Sequence, residues 1–227
     1  MTTPQHDTQH HTQHGAQHDT PHRTDSAPAA LPRTASRSWR IVDIVVAAVL
    51  GVAVGIIFVG WNFVGGAGYE VFNAVTPGLG GLAVGIWLLG GVLGGLIIRK
   101  PGAALFVELV AAVVSALVGN VWGITTLYSG LAQGLGAELV FLLFAYRRWG
   151  VLPAALAGVG AGLGAWLLEL LMGNAEKGLT YNAIYLGALA ISGAVLAGVV
   201  GWALTRALAG TGALSRFESG RARRLDV

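Results

Sequence analysis

Residues 78–98 read GLGGLAVGIWLLGGVLGGLII, a stretch without one charged side chain, closed by Arg99, Lys100 and Pro101. A helix rises about 1.5 Å per residue, so about 20 apolar residues cross the hydrocarbon core of a bilayer. The stretch therefore reads as a membrane span. Working outward, comparable runs occupy 41–60, 102–119, 127–146, 151–172 and 182–205, with 102–119 the shortest. Pro77, Pro101 and Pro153 fall at or just before helix starts, where a missing N–H costs little. The runs lack the ten-residue alternation of membrane strands. The expected fold class is an all-α integral membrane protein, a bundle of six transmembrane helices.

Composition agrees. The 227 residues are 54% hydrophobic and 11% charged, whereas a soluble domain is about a quarter charged. The 35 glycines follow no collagen-like period and read as packing residues, and the absence of cysteine excludes disulfides and thiolate metal sites. Three segments are expected: a polar tail over 1–38, a membrane domain over 39–206 and a basic tail over 207–227. The first is rich in His, Gln, Thr and Pro and cannot bury enough surface to order itself. His10, His14, His18 and His22 are four apart and on a helix would form a metal-binding face, but the segment is built of poor helix formers. A solvated low-complexity tail is the reading its composition favours.

Charge sets the expected orientation. Arg33, Arg37, Arg40, Arg99, Lys100, Arg147, Arg148, Arg206 and the C-terminal arginines fall on one face, and Lys177 alone falls on the other. Positive residues stay in the cytoplasm, so both termini are expected there, with the chain multi-pass in the cytoplasmic membrane. Enzyme chemistry finds no support. A phosphate loop, a His–Glu zinc motif and a G-x-S-x-G elbow are all missing. The arginines lack interleaved aromatics, so no nucleic acid is expected as partner.

The informative residues are the polar ones inside the spans. A carboxylate at the bilayer centre costs roughly 2.5–3.5 kcal/mol, and such groups face protein or water. Glu108, Glu138 and Glu169 are of this kind. Counted along their helices, Glu138 is expected near mid-membrane, Glu108 in the cytoplasmic half and Glu169 near the outer edge. Residues three or four apart share a face. Glu108, Ala112 and Ser115 thus form one stripe, Gly130, Gly134 and Glu138 another, and Gln133 lies off the Glu138 face. The outer connections are aromatic and polar: 61–76 carries Trp61, Asn62, Tyr69, Glu70 and Asn73, the next Asn120, Trp122 and Tyr128, the last Asn174, Tyr181 and Asn182. Aromatic faces with carboxylates suit a flat cation. An outward-facing pocket for a small aromatic solute is expected, with Glu108, Asn120 and Gln133 serving either the solute or the structure. On the first span Ala47, Gly51 and Gly55 form a small-xxx-small stripe that packs within the chain or against another membrane subunit.

The strings WRIVDIVVAAVLGVAVGIIFVGWNF (39–63), RKPGAALFVELVAAVVSALVGNVWG (99–123) and YSGLAQGLGAELVFLLFAYRRWG (128–150) resemble the YkoE-type substrate-binding (S) components of energy-coupling factor (ECF) vitamin transporters, most specifically over Gly130–Phe141. The resemblance covers about residues 39–206. It implies capture of thiamin or its hydroxymethylpyrimidine precursor, and two partners: a transmembrane coupling subunit and ABC-type ATPases. The chain itself then needs no cofactor, ATP being used by the partners. It points to Trp61, Tyr69, Tyr128, Glu138, Trp166, Glu169, Tyr181, Asn182 and Tyr185 as substrate-binding residues, to which the outer connection adds Trp122. It assigns Ala47, Gly51 and Gly55 to coupling-subunit docking. A proton-coupled carrier using Glu108 and Glu138 as a relay and a non-transporting scaffold are the alternatives.

Overall fold

The computed structural model describes residues 38–215 with Phe217, Ser219 and Gly220. The expected tail, and with it His10, His14, His18 and His22, lies outside the described residues apart from Ser38. Every regular element among the described residues is helical: α1 (Ile41–Val75), a 3-10 segment (Leu79–Leu88) running into α2 (Leu89–Ile98), α3 (Ala103–Val118), α4 (Thr125–Leu143), α5 (Val151–Leu171), and α6 (Gly178–Ser192) running through a π-helical stretch (Gly193–Val199) into α7 (Val200–Gly210). These make six rods. Five are long and apolar enough to cross a membrane, and α3, the shortest, is the exception, as its run suggested.

One expected connection is absent. Residues 61–75 continue α1 as helix rather than forming an outer loop, giving a rod of 35 residues. Nothing in 61–75 breaks a helix, and the glycines there lie along it without positive φ. Pro77 and Gly78, the latter at φ 102°, make the turn. Asn73 Oδ1 accepts from Gly78 N (2.9 Å) and Gly80 N (3.2 Å), holding the start of the second rod against the end of the first.

The stretch 78–98 is the centre of the bundle, and every residue of α2 is buried. Its glycines admit the neighbours. A Cβ on Gly85 would meet the Ser192 backbone, and one on Gly95 would overlap the Phe141 ring. The 3-10 segment is unusually long, since such runs rarely exceed 3–4 residues. Donors on three other helices reach its carbonyls: Trp61 Nε1 to Ala83 O (2.9 Å), Ser192 Oγ to Gly81 O (2.7 Å) and, with its amide nitrogen facing inward, Gln133 to Trp87 O (3.1 Å).

At one end of the bundle the basic residues gather. Asp43, fully buried, pairs with Arg40 (2.9 Å) and Lys100 (2.5 Å), and Trp39 Nε1 donates to Pro101 O (2.9 Å). Arg99 lies over the Trp149 ring. After α7 the chain turns back: Leu214 and Phe217 are buried, and Ser219 Oγ donates to Ile97 O (3.1 Å).

The stripe on α1 is also resolved. Ala47, Gly51 and Gly55 are all buried, facing α3. A Cβ on Gly51 would lie 2.7 Å from Val110 Cβ, and one on Gly55 2.6 Å from Val114 Cβ. The stripe expected to dock a separate subunit is thus buried against α3, and its smallness serves contact within the chain. Gly55→Val is accordingly expected to overpack the α1–α3 contact by about 1–3 kcal/mol. It should lower the melting temperature of detergent-purified protein by several degrees. Gly60→Val, whose Cβ meets nothing within 4 Å, should leave it unchanged.

Candidate functional site

Because α1 stays helical beyond residue 60, Phe58, Asn62, Gly66 and Tyr69 fall three or four apart on one face. That face opens onto a cavity of about 590 Å³. The three-residue period of the 3-10 segment adds Val84 and Trp87, α3 adds Glu108, Ala112 and Ser115, and α4 adds Thr126, Gly130 and Gln133. Glu70, Trp122, Glu169, Met172, Asn174 and Tyr185 also line it. Its volume falls in the about 300–1,000 Å³ range of small-molecule sites.

Two aromatic pairs shape it. Trp87 and Trp122 meet edge to face at 5.5 Å and 82°, and Tyr69 and Tyr185 at 6.3 Å and 87°. Below Trp87, its Nε1 donates to Asn62 Oδ1 (2.9 Å), and Asn62 Nδ2 donates to Ser115 Oγ (3.1 Å). Glu108 is 1% exposed. Its Oε2 accepts from Gly91 N (2.5 Å) and its Oε1 from the Gln133 amide (3.3 Å). Glu169 accepts from Asn174 Nδ2 (3.3 Å) and faces Tyr185. Among the described residues the lining thus holds three carboxylates, Glu70, Glu108 and Glu169, with no lysine or arginine. It can stack a flat ring, read its edge through Asn62, Ser115 and Gln133, and neutralise a positive charge.

The structure sorts the residues expected from sequence. Tyr69, Trp122, Glu169 and Tyr185 line the cavity, as do Glu108 and Gln133 from the undecided group. Trp61, Tyr128, Glu138, Trp166, Tyr181, Asn182 and Asn120 do not. Trp61 is spent on Ala83 O. Tyr128 is 53% exposed on the bundle surface. Trp166 Nε1 donates to Asn182 O (3.1 Å), while Asn182 Nδ2 donates to Asn174 O (2.7 Å) and Gly178 O (2.8 Å), so both hold the α5–α6 turn. Asn120 Oδ1 accepts from Trp122 N (2.9 Å), Gly123 N (2.8 Å) and Thr126 Oγ1 (3.1 Å), shaping the α3–α4 loop. Tyr181 stands behind Tyr185, stacked on it at 5.7 Å.

Glu138 is the sharpest correction. Instead of facing the cavity near mid-membrane, it lies at the basic end and caps α3. It accepts from Gly102 N (2.6 Å), Ala104 N (2.9 Å) and Leu105 N (3.3 Å), and from Tyr146 Oη (2.5 Å). Amides in the first turn of a helix have no intrahelical partner, and a carboxylate satisfies both the amides and the helix dipole. Because α3 is short, that turn begins at the level of Glu138.

Trp87, Asn62, Glu70 and Ser115 are cavity residues that were not expected as ligands. Trp87 stands inside the uncharged stretch 78–98, and nothing in the pattern marks it. Asn62 and Glu70 were assigned to a connection rather than to a helix face, so their alignment with Phe58 and Tyr69 was hidden.

Comparison with known proteins agrees with this architecture. Residues 42–164 match the family described as "ABC-type cobalt transport system, permease component". The chain is 34% identical over 188 residues to the putative HMP/thiamine permease protein YkoE of Bacillus subtilis (strain 168), an alignment covering 82% of this chain and 92% of the relative. A crystal structure of an S-component of an ECF transporter superposes with a TM-score of 0.77 at 32% identity, covering 83% of this chain and 95% of that one. Among the described residues, no three His, Cys, Asp or Glu side chains are grouped as a metal ion would require.

The cap makes a direct test. Glu138→Gln should cost about 1–3 kcal/mol of stability by leaving buried amides poorly paired. Tyr146→Phe should cost about 1 kcal/mol. Because the two share one hydrogen bond, thermal unfolding of the double variant should show a loss smaller than the sum.

Proposed function

The chain belongs to the family of YkoE-type S components of ECF transporters, and on that premise we propose that its cavity captures thiamin or the hydroxymethylpyrimidine precursor for import. The observation that carries this reading is the lining itself: Trp87, Trp122, Tyr69 and Tyr185 around Glu70, Glu108 and Glu169, with no cationic side chain among the described residues. Thiamin joins a neutral aminopyrimidine to a cationic thiazolium. A cation over a desolvated aromatic ring gains about 2 kcal/mol or more. The thiazolium is assigned to the Tyr69–Tyr185 walls near Glu169. The aminopyrimidine is assigned to the Trp87 side, where Asn62, Ser115 and the Glu108–Gln133 pair offer donors and acceptors.

Orientation follows from charge. The end bearing Arg40, Arg99, Lys100 and Arg147 is placed in the cytoplasm, and the end bearing Lys177 outside. The cavity then loads from outside, and release inward depends on a transmembrane coupling subunit and ATP-hydrolysing partners. Their contact is assigned to surfaces other than the Ala47–Gly51–Gly55 stripe. A proton relay through Glu108 and Glu138 finds less support, because Glu138 is held by backbone amides outside the cavity. The separated carboxylates of the lining likewise favour an organic cation over a metal ion.

Titration of the purified chain with thiamin should quench the fluorescence of Trp87 and Trp122 saturably. Glu169→Gln should weaken thiamin binding by about tenfold, equivalent to about 1.4 kcal/mol, while the hydroxymethylpyrimidine is affected less. Saturable binding of neither ligand would overturn the reading. The lack of native cysteine permits a test of orientation. Ala175→Cys should react with an impermeant maleimide on intact cells, and Ala213→Cys only after lysis.

A further inference from the structure

Among the described residues, the lysines and arginines other than Lys177 belong to the end that holds Asp43 and Trp149. Lys177 stands at the opposite end, at the start of α6. Its ammonium lies 4.6 Å from the centroid of the Tyr181 ring and donates to the Tyr181 hydroxyl at 3.4 Å. That hydroxyl is 3.3 Å from the hydroxyl of Tyr69, and the Tyr181 ring stacks on Tyr185 at 5.7 Å and 24°. Tyr69 and Tyr185 are walls of the cavity, and Glu169 is the carboxylate between them and Asn174. The aromatic set is therefore two layers deep. The inner layer faces the cavity, and the outer layer already holds a cation.

We propose that Lys177 is the charge-selectivity residue of the cavity. Held on Tyr181, its ammonium acts as a resident countercharge to Glu169 and opposes a second cation on the inner layer. It thereby weakens cationic solutes relative to neutral ones that carry the same pyrimidine ring. Tyr181 acts as the positioning residue, fixing the ammonium through its ring face and its hydroxyl. The inference rests on the reading of the cavity as a thiamin or hydroxymethylpyrimidine site, and it adds what decides between the two. A like charge within roughly 10 Å in a partly solvated site changes affinity by about threefold to tenfold, and salt should screen the effect, the Debye length being about 8 Å at physiological ionic strength.

The test is calorimetric titration of the purified full chain with thiamin and, separately, with hydroxymethylpyrimidine, at low and high salt. Lys177→Met should bind thiamin about threefold to tenfold more tightly than the parent. Its affinity for the neutral pyrimidine should stay within about twofold, and the thiamin gain should shrink in high salt. Lys177→Arg, which keeps the charge, should behave as the parent. If Lys177→Met changes both ligands equally, the residue is merely structural and the proposal fails. Unchanged or weakened thiamin binding overturns it as well. Failure of the parent chain to bind either ligand would overturn the reading of the cavity, and this inference with it, a result distinct from the other two.

Discussion

A carboxylate carried into a membrane-spanning helix must find its partners inside the protein, because lipid supplies none. The structure answers this constraint differently for Asp43, Glu138, Glu108 and Glu169, and the differences separate scaffold from site. Asp43 is closed off by Arg40, Lys100 and the Arg40 amide. Glu138 is closed off by three amides and a tyrosine hydroxyl. Glu108 keeps one oxygen on Gly91 and shares the other with Gln133, whose amide also serves Trp87. Glu169 has a side-chain amide and a tyrosine for company. The first two acids are fully used in holding helix starts together. The last two line a cavity and retain acceptor capacity.

The same economy of hydrogen bonds explains the irregular second rod. A 3-10 run of ten residues is costly in isolation. Here Trp61, Gln133 and Ser192 each give a donor to one of its carbonyls, and each comes from a different helix. The tighter period turns Val84 and Trp87 onto the cavity side. The unwound backbone is thus tolerated where it is buried in protein beside a cavity, the setting in which membranes permit it. The π stretch at Gly193–Val199 follows directly after Ser192, so two departures from α-helix meet at the Ser192–Gly81 contact.

Glycine in this chain works mainly as an absence. On α1 it brings α3 to within reach of the backbone, and along 78–98 it lets Phe141 and the Ser192 backbone press on the central rod. A stripe of small residues is equally suited to an internal or an external neighbour. Only the position of α3 shows that Ala47, Gly51 and Gly55 are taken up internally.

Six apolar rods, their order and the gathering of positive charge at one end are written in the sequence, because hydropathy and Lys/Arg placement act locally and need no knowledge of neighbours. The stripe of Glu108, Ala112 and Ser115 was legible for the same reason, being a property of one helix. The family likeness was legible too, in strings such as Gly130–Phe141. What the chain alone did not reveal is which polar group meets which. Glu138 is satisfied by amides more than thirty positions earlier in the chain, and that pairing depends on where the short α3 begins. Trp87 enters the cavity because a distant tryptophan, glutamine and serine draw its segment into a 3-10 path. Asn62 and Glu70 join it because α1 continues past its expected end. Local pattern fixes which residues are buried in lipid, while the approach of rods distant in sequence decides whose hydrogen bonds are already taken and whose remain for a solute.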